Sequence, residues 1–409
     1  MRLKVKPDDF RVRELLDYEQ DPRGDHYVHR LRKEKLDTLQ ALTELARVTG
    51  VSRRDIAFAG LKDRQGVTEQ WISVRGRRLE YRRPDLEVTF DGRAREPISS
   101  KQSRGNAFEI VMRELGDEEL DALQERLLDI RATGFVNYFD DQRFGCVRHG
   151  QGFILRDVLR GDYESALRGL IATPSPKAIT GDVKLKRILR DKWGDWDVCA
   201  SVARGPAWQR VFSALLRNER DFEGALAGLP ERQKLIHAFA YQSYLWNRAL
   251  SRWLRMEVPR ESAAEIWTVL GRLRAWRRLP PAKATRVAGI DAPMFGVGLA
   301  GGEPSFRAAL DAVLRREEVT VQDCEEHGLP GLQLRTELRP TVVIPEDVRL
   351  GRVQRERSDR SLAATLAFSL PRGAYATMLI KCLTSEPWGS AQRRDRPAGR
   401  DRDENDDES

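Results

Sequence analysis

The tightest constraint in this 409-residue chain is a strand–turn–strand pattern at residues 55–74. Asp55-Ile-Ala-Phe-Ala reads as a short apolar strand, and Trp71-Ile-Ser-Val resumes strand composition. The turn between them holds Asp63 between Lys62 and Arg64 and is bracketed by Gly60 and Gly66. Sheet on either side fixes the backbone while the tip stays accessible, which suits an acid used for chemistry. Taken alone, a Lys-Asp-Arg turn is ordinary solvated surface, so the rest of the chain must decide.

Residues 3–15, LKVKPDDFRVREL, alternate apolar and charged positions and predict an opening strand in which Phe10 is a core residue. His26-Tyr-Val-His-Arg-Leu predicts a second. Residues 37–49 predict a helix, with Leu39, Leu42, Leu45 and Ala46 at helical steps, Asp37 or Thr38 as cap and Gly50 as stop. The Arg-rich stretch 75–104 reads as a solvated face able to meet phosphates. Gly105–Arg113 predicts a strand, and 117–131, 207–218 and 233–256 predict helices. Strand composition returns at Thr341–Pro345, Ala364–Leu370 and Pro371–Thr377. The run around Trp193, Trp196 and Trp208 could stack bases, but buried tryptophan is the simpler reading. GVGLAG at 296–301 matches G-x-G-x-x-G without a preceding buried strand, and Pro304 delays any helix, so it reads as a loop and no nucleotide cofactor is expected.

Composition removes several classes. No run of 18 apolar residues exists, so no membrane span is expected, and MRLKVKPDDF lacks the apolar stretch of a secretory signal. Cys146, Cys199, Cys324 and Cys382 form no C-x-x-C pair and the five His are scattered, so neither a metal nor any other cofactor is expected, and the thiols read as reduced and structural. Net charge is +8, but residues 385–409 hold five Arg against eight Asp and Glu, leaving +11 on the body. A polyanion partner suits that balance. The same tail has almost no apolar content and is expected to be disordered.

The motifs together carry a resemblance. GLKDRQGVTEQW at 60–71 resembles the catalytic motif of the TruD family of RNA pseudouridine synthases, in which Asp63 matches the catalytic Asp. Lys4 and Phe10 match a Lys and a Phe near the active site in its K-x-x-P-x-D-F pattern, which implies Lys4 as the cation holding the Asp63 charge and Phe10 as aromatic surface for the substrate base. NYFDDQRFG at 137–145 resembles its NYFxxQRFG hallmark, with Asn137 and Phe139 at nucleotide-contacting positions and Arg143 as an RNA or structural contact; Asp140 stands where the family often has Gly. FSLPRGAYATMLIKCL resembles its C-terminal motif and puts Tyr375 at an active-site aromatic position. The four motifs occur in family order across residues 3–384.

The resemblance implies an α+β fold: a pseudouridine-synthase catalytic domain with a mixed, largely antiparallel sheet and flanking helices, interrupted by a TruD-type α/β insert. The expected division is 1–151 and 339–384 for the catalytic domain, 152–338 for the insert and 385–409 for the tail. It further implies uridine-to-pseudouridine conversion in tRNA at position 13 of the D-arm, by a cytoplasmic monomer that could also take other structured RNA. Asp63 would act as nucleophile at C1′ or as base at C2′ on a flipped base, and the sequence does not choose. The alternative class is a non-catalytic RNA-binding or RNA-folding protein on the same fold. An intact Asp63 beside matching Lys4, Asn137 and Phe139 argues against it.

Overall fold

Residues 1–148, 150–174, 180–327, 329, 331–356 and 361–387 are described in the computed structural model of the chain. They group into two packed units: Met1–Phe135 with Val343–Ala376, and Val136–Val342 with the chain from Thr377 onward. These packing boundaries fall at 135/136, 342/343 and 376/377, whereas the division expected from the sequence falls at 151/152, 338/339 and 384/385.

The first unit is built on a nine-stranded sheet. In chain order it takes β1 (Phe10–Leu16), β2 (His26–Glu34), β3 (Ile56–Phe58), β4 (Val67–Arg75), β5 (Tyr81–Arg83), β6 (Leu86–Ala94) and β7 (Ser103–Leu115), then the strands Glu346–Arg355 and Leu362–Pro371. In space the order from one edge is Glu346–Arg355, Leu362–Pro371, β7, β1, β4, β2, β6, β5, with β3 paired to β4. Every pairing is antiparallel except β1 with β4. That exception places the site. Parallel strands bring their N-terminal ends side by side, and Arg11 stands opposite Val67. The turn ending at Gly66 is therefore delivered beside the residues that precede β1.

Helix α1 (Thr38–Thr49) forms where its period predicts: Asp37 accepts from the Leu39 and Gln40 amides, and Gly50 closes it in the left-handed region at φ 70°. Its Leu42 and Leu45 bury against Leu31 of β2 and Ile72 and Val74 of β4. Helix α2 (Asp117–Thr133) contributes Leu123, Leu127 and Ile130.

Several expectations are corrected. The first strand begins at Phe10 rather than residue 3, because Pro7–Asp9 winds into a 3-10 turn that Asp9 caps by accepting from the Lys6 amide. The Arg-rich stretch contains β5 and β6, whose Leu86 and Val88 are buried while charged neighbours face outward. Pro371–Thr377 is not a strand: it ends one and turns into the helix Ala376–Leu383.

The second unit is organised by the 27-residue helix Glu231–Glu257, which buries Tyr241, Leu245, Trp246, Leu250 and Trp253. Phe306 of the helix Pro304–Arg316 packs its ring against Trp246 at 5.4 Å and Trp253 at 5.9 Å. The strands Ala263–Thr268 and Gly271–Trp276 form a hairpin, and Glu386–Pro387 adds a short third strand to it. The expected disorder thus fails at Ser385, which is buried with its hydroxyl donating to the Cys382 carbonyl, and at Glu386 and Pro387; the rest of that expectation, 388–409, lies outside the described residues. Trp196 is buried, with Trp193 and Phe222 against it. All four cysteines are buried thiols.

Candidate active site

The turn at 59–66 is braced from several elements. Gln70 Nε2 of β4 donates to the Gly60 carbonyl at 3.1 Å, and the Lys62 amide donates to Thr38 Oγ1 at the start of α1 at 3.0 Å. Lys62 Nζ reaches Glu14 Oε1 of β1 at 2.6 Å, and the other oxygen of this buried carboxylate accepts from the Trp71 amide at 3.0 Å. Lys62 therefore points inward, and its neighbour Asp63 is left with 43 % of its side chain exposed. Of the two flanking glycines only Gly66 is sterically required. A Cβ there would collide with the Phe10 carbonyl oxygen, whereas at Gly60 it would meet nothing closer than 3.9 Å.

Lys4 Nζ lies 3.6 Å from Asp63 Oδ2 and 3.7 Å from the centre of the Phe10 ring. The ring seats the ammonium from below by its quadrupole, and the carboxylate faces it. Lys4 itself sits in the left-handed region at φ 56°, an uncommon conformation for a residue with a Cβ and one that clusters at functional sites. Its conformation is held by the following turn: buried Asp9 takes Arg113 Nε at 2.9 Å and Nη2 at 2.6 Å, and Arg113 also pairs with Glu356. The acid of the K-x-x-P-x-D-F pattern is thus a fastener for Lys4 and Phe10. Phe10 is buried, edge-on to Phe108, rather than open.

Asn137, Phe139 and Arg143 belong to the second unit. Asn137 Nδ2 donates to the Pro340 carbonyl at 2.8 Å, and its Oδ1 accepts from Arg339 Nη2 at 2.6 Å. Phe139 is pinned by its backbone: Asn247 accepts from its amide at 2.9 Å and donates to its carbonyl at 2.8 Å. Its ring is faced by the Arg339 guanidinium at 4.0 Å and by Arg143 at 5.3 Å. Arg143 also lies 5.9 Å from the half-exposed Phe239, and its Nε is buried with no hydrogen-bond partner among the described residues. Tyr375, in the first unit, is half-buried in the turn after the Leu362–Pro371 strand.

Asp140 is a buried carboxylate that accepts from Lys381 Nζ at 2.6 Å and from the Thr377 hydroxyl. Burial alone would raise its pKa, but Lys381 and Thr377 outweigh it and hold the carboxyl below its usual value. Sequence reasoning missed Glu14, Lys33, Arg339 and Asn247. Each is separated by tens to hundreds of residues from the motif it supports, and only a shared fold brings them together. Among the described residues, no group of three or more His, Cys, Asp or Glu side chains is placed to hold a metal, and no helix is long and apolar enough to cross a membrane.

The mixed sheet with its flanking helices is of the pseudouridine-synthase class, the fold it shares with a solved structure of that class. The closer assignment comes from comparison. The tRNA pseudouridine synthase D (TruD) family profile matches residues 1–383, and the chain belongs to that family of isomerases. It is 30% identical over 390 residues to a Methanococcus maripaludis protein described as "probable tRNA pseudouridine synthase D 1", covering 93% of this chain and 98% of that one. The tRNA pseudouridine synthase D of Aquifex aeolicus is 29% identical over 392 residues, covering 94% and 98%. A crystal structure from Methanosarcina mazei, described as a "putative tRNA pseudouridine synthase D (TruD)", shares the fold with a TM-score of 0.70 at 24% identity, covering 94% of each chain.

Proposed function

We propose that this chain isomerises uridine to pseudouridine in tRNA, at position 13 of the D-arm, with Asp63 as the catalytic residue. The observation that carries the reading is the exposed Asp63 carboxylate facing the Lys4 ammonium across 3.6 Å. Either role, attack at C1′ or removal of the C2′ proton, uses a carboxylate that is open to the substrate and fixed in direction. Uracil must leave C1′, rotate and rejoin through C5, so the base is drawn out of the folded RNA at a cost of a few kcal/mol.

Phe10, Phe139 and Tyr375 are proposed as ring surface for that base, with Phe10 also seating Lys4. Asn137 is proposed to hold the base edge, since Pro340 and Arg339 use one of its amide hydrogens and one of its oxygen lone pairs and leave one of each. Arg143 is proposed as an RNA contact. In domain terms, 1–151 and 339–384 are assigned to catalysis, 152–338 to the insert and 385–409 to a charged tail, in a cytoplasmic monomer that can also accept other structured RNA.

Asp63→Asn is expected to abolish pseudouridine formation on a tRNA transcript while binding that transcript within a few-fold of wild type, because phosphates and stacking supply most of the affinity. A variant that isomerises near the wild-type rate would overturn the assignment. If wild type and variant both bind and neither isomerises, the protein is an RNA binder on this fold.

A further inference from the structure

Lys33 is fully buried in β2, yet among the described residues it forms no ion pair. Its ammonium donates to three carbonyl oxygens: Leu36 at 2.8 Å, Asp63 at 2.9 Å and Lys62 at 3.4 Å. All three N–H groups are thereby used. A buried charge without a counter-ion is costly, and burial pushes this ammonium down to about 8, with Asp37 and Asp63 pulling it back up and Lys62 pushing it further down. A Met or Leu would fill the same space without that cost, so the position calls for an explanation in what the ammonium holds.

What it holds is the main chain on both sides of Asp63. The Lys62 and Asp63 carbonyls together determine the direction in which the Asp63 Cα–Cβ bond leaves the turn. Of the remaining braces, Gln70 acts on Gly60, Glu14 acts on the Lys62 side chain, and Thr38 accepts from the Lys62 amide and sits 3.5 Å from the Lys62 carbonyl as a long second donor, so it is at the Asp63 carbonyl that Lys33 acts without help from these groups. Beyond Asp63 the next hydrogen bond that fixes the turn is from the Lys35 amide to the Gly66 carbonyl at 3.2 Å. Resting on the reading of Asp63 given above, we propose that Lys33 is a positioning residue for the reaction: its ammonium fixes the Lys62 and Asp63 carbonyls and thereby aims the Asp63 carboxylate. It does not touch substrate.

The test is single-turnover pseudouridine formation on a tRNA transcript by Lys33→Met, measured beside wild type and Asp63→Asn, with equilibrium binding and thermal melting of each protein. The expected result is a rate constant lowered about 10- to 100-fold, the scale on which small misplacements act, with unchanged transcript affinity, full reaction amplitude and a cooperative melt. A merely structural role would instead lower the amplitude, through fewer folded molecules, and leave the rate constant of the folded ones alone; that outcome overturns the proposal. A rate constant within a few-fold of wild type also overturns it. Should Lys33→Met not fold, Lys33→Gln decides by the same criteria, since its amide keeps two donors but cannot reach three carbonyls. Asp63→Asn separates the two readings. If it keeps the wild-type rate, the assignment of Asp63 fails; if it is inactive while Lys33→Met stays fast, only the role of Lys33 fails.

Discussion

At the level of single residues, the position of the Asp63 carboxylate depends on what lies under the turn rather than on the turn itself. Gly60 and Gly66 look equivalent in sequence, but only Gly66 passes against the Phe10 carbonyl. Gly66→Ala must push β1 and the turn apart, and overpacking against backbone costs about 1–3 kcal/mol or more. Urea unfolding should show that loss in Gly66→Ala and leave Gly60→Ala close to wild type. Equal stability in the two variants would mean that the close approach relaxes freely. The same contact links the fold to the proposed site, because the strand displaced by the added methyl is the one that begins with Phe10, the seat of Lys4.

At the level of elements, the sequence is most readable where a period and a cap coincide. Asp37 and Gly50 bound α1 because their side-chain and left-handed-turn chemistry is local. Where burial comes from a neighbour distant in sequence, local reading fails. Leu86 and Val88 are buried by β2, and their Arg-rich surroundings conceal the strand. For the site, Asp63, Lys4 and Phe10 are legible through motif resemblance, but Lys33 and Glu14 are not, since a Lys or Glu in a strand carries no sign that it points inward. Asp140 shows the same limit: by pattern it is a departure from Gly, and in space it is clamped to the Ala376–Leu383 helix by Lys381 and Thr377. Asp140→Asn leaves Lys381 paired with Asp141 at 2.8 Å, so what is lost is the charge in the Asp140 hydrogen bonds, about 1.5–3 kcal/mol. Because the Asp140 carboxyl is held below the ordinary aspartate value of 3.8, its contribution is present above that pH and is lost as pH falls through the lower folded value. The stability gap between wild type and Asp140→Asn in urea should therefore be largest near neutrality and shrink below about pH 4. A gap that is flat with pH would remove the charge from the explanation.

At the level of the whole molecule, charge is unevenly distributed along the chain, and this bears on how RNA is held. Residues 388–409 carry five Arg against seven Asp and Glu, so a chain ending at Pro387 has a net charge of +10 rather than +8. The cut belongs after Pro387, because Glu386 and Pro387 pair with the strand Ala263–Thr268. Affinity for tRNA should fall steeply with salt in both forms, because binding to the basic body releases the counterions condensed on the phosphates into solution. An acidic-rich segment on the same chain repels the same phosphates, and that repulsion is screened over about 10 Å at 0.1 M salt. The truncated protein is therefore expected to bind a tRNA transcript somewhat more tightly than the full chain at about 50 mM salt and indistinguishably from it at about 200 mM, with the same melting temperature. Binding titrations of both forms across that range, paired with thermal melts, measure this directly. Weaker binding by the truncated form at every salt concentration would show instead that the Arg residues of 388–409 contact the RNA. A melting temperature lowered by several degrees would show that the segment packs on the body.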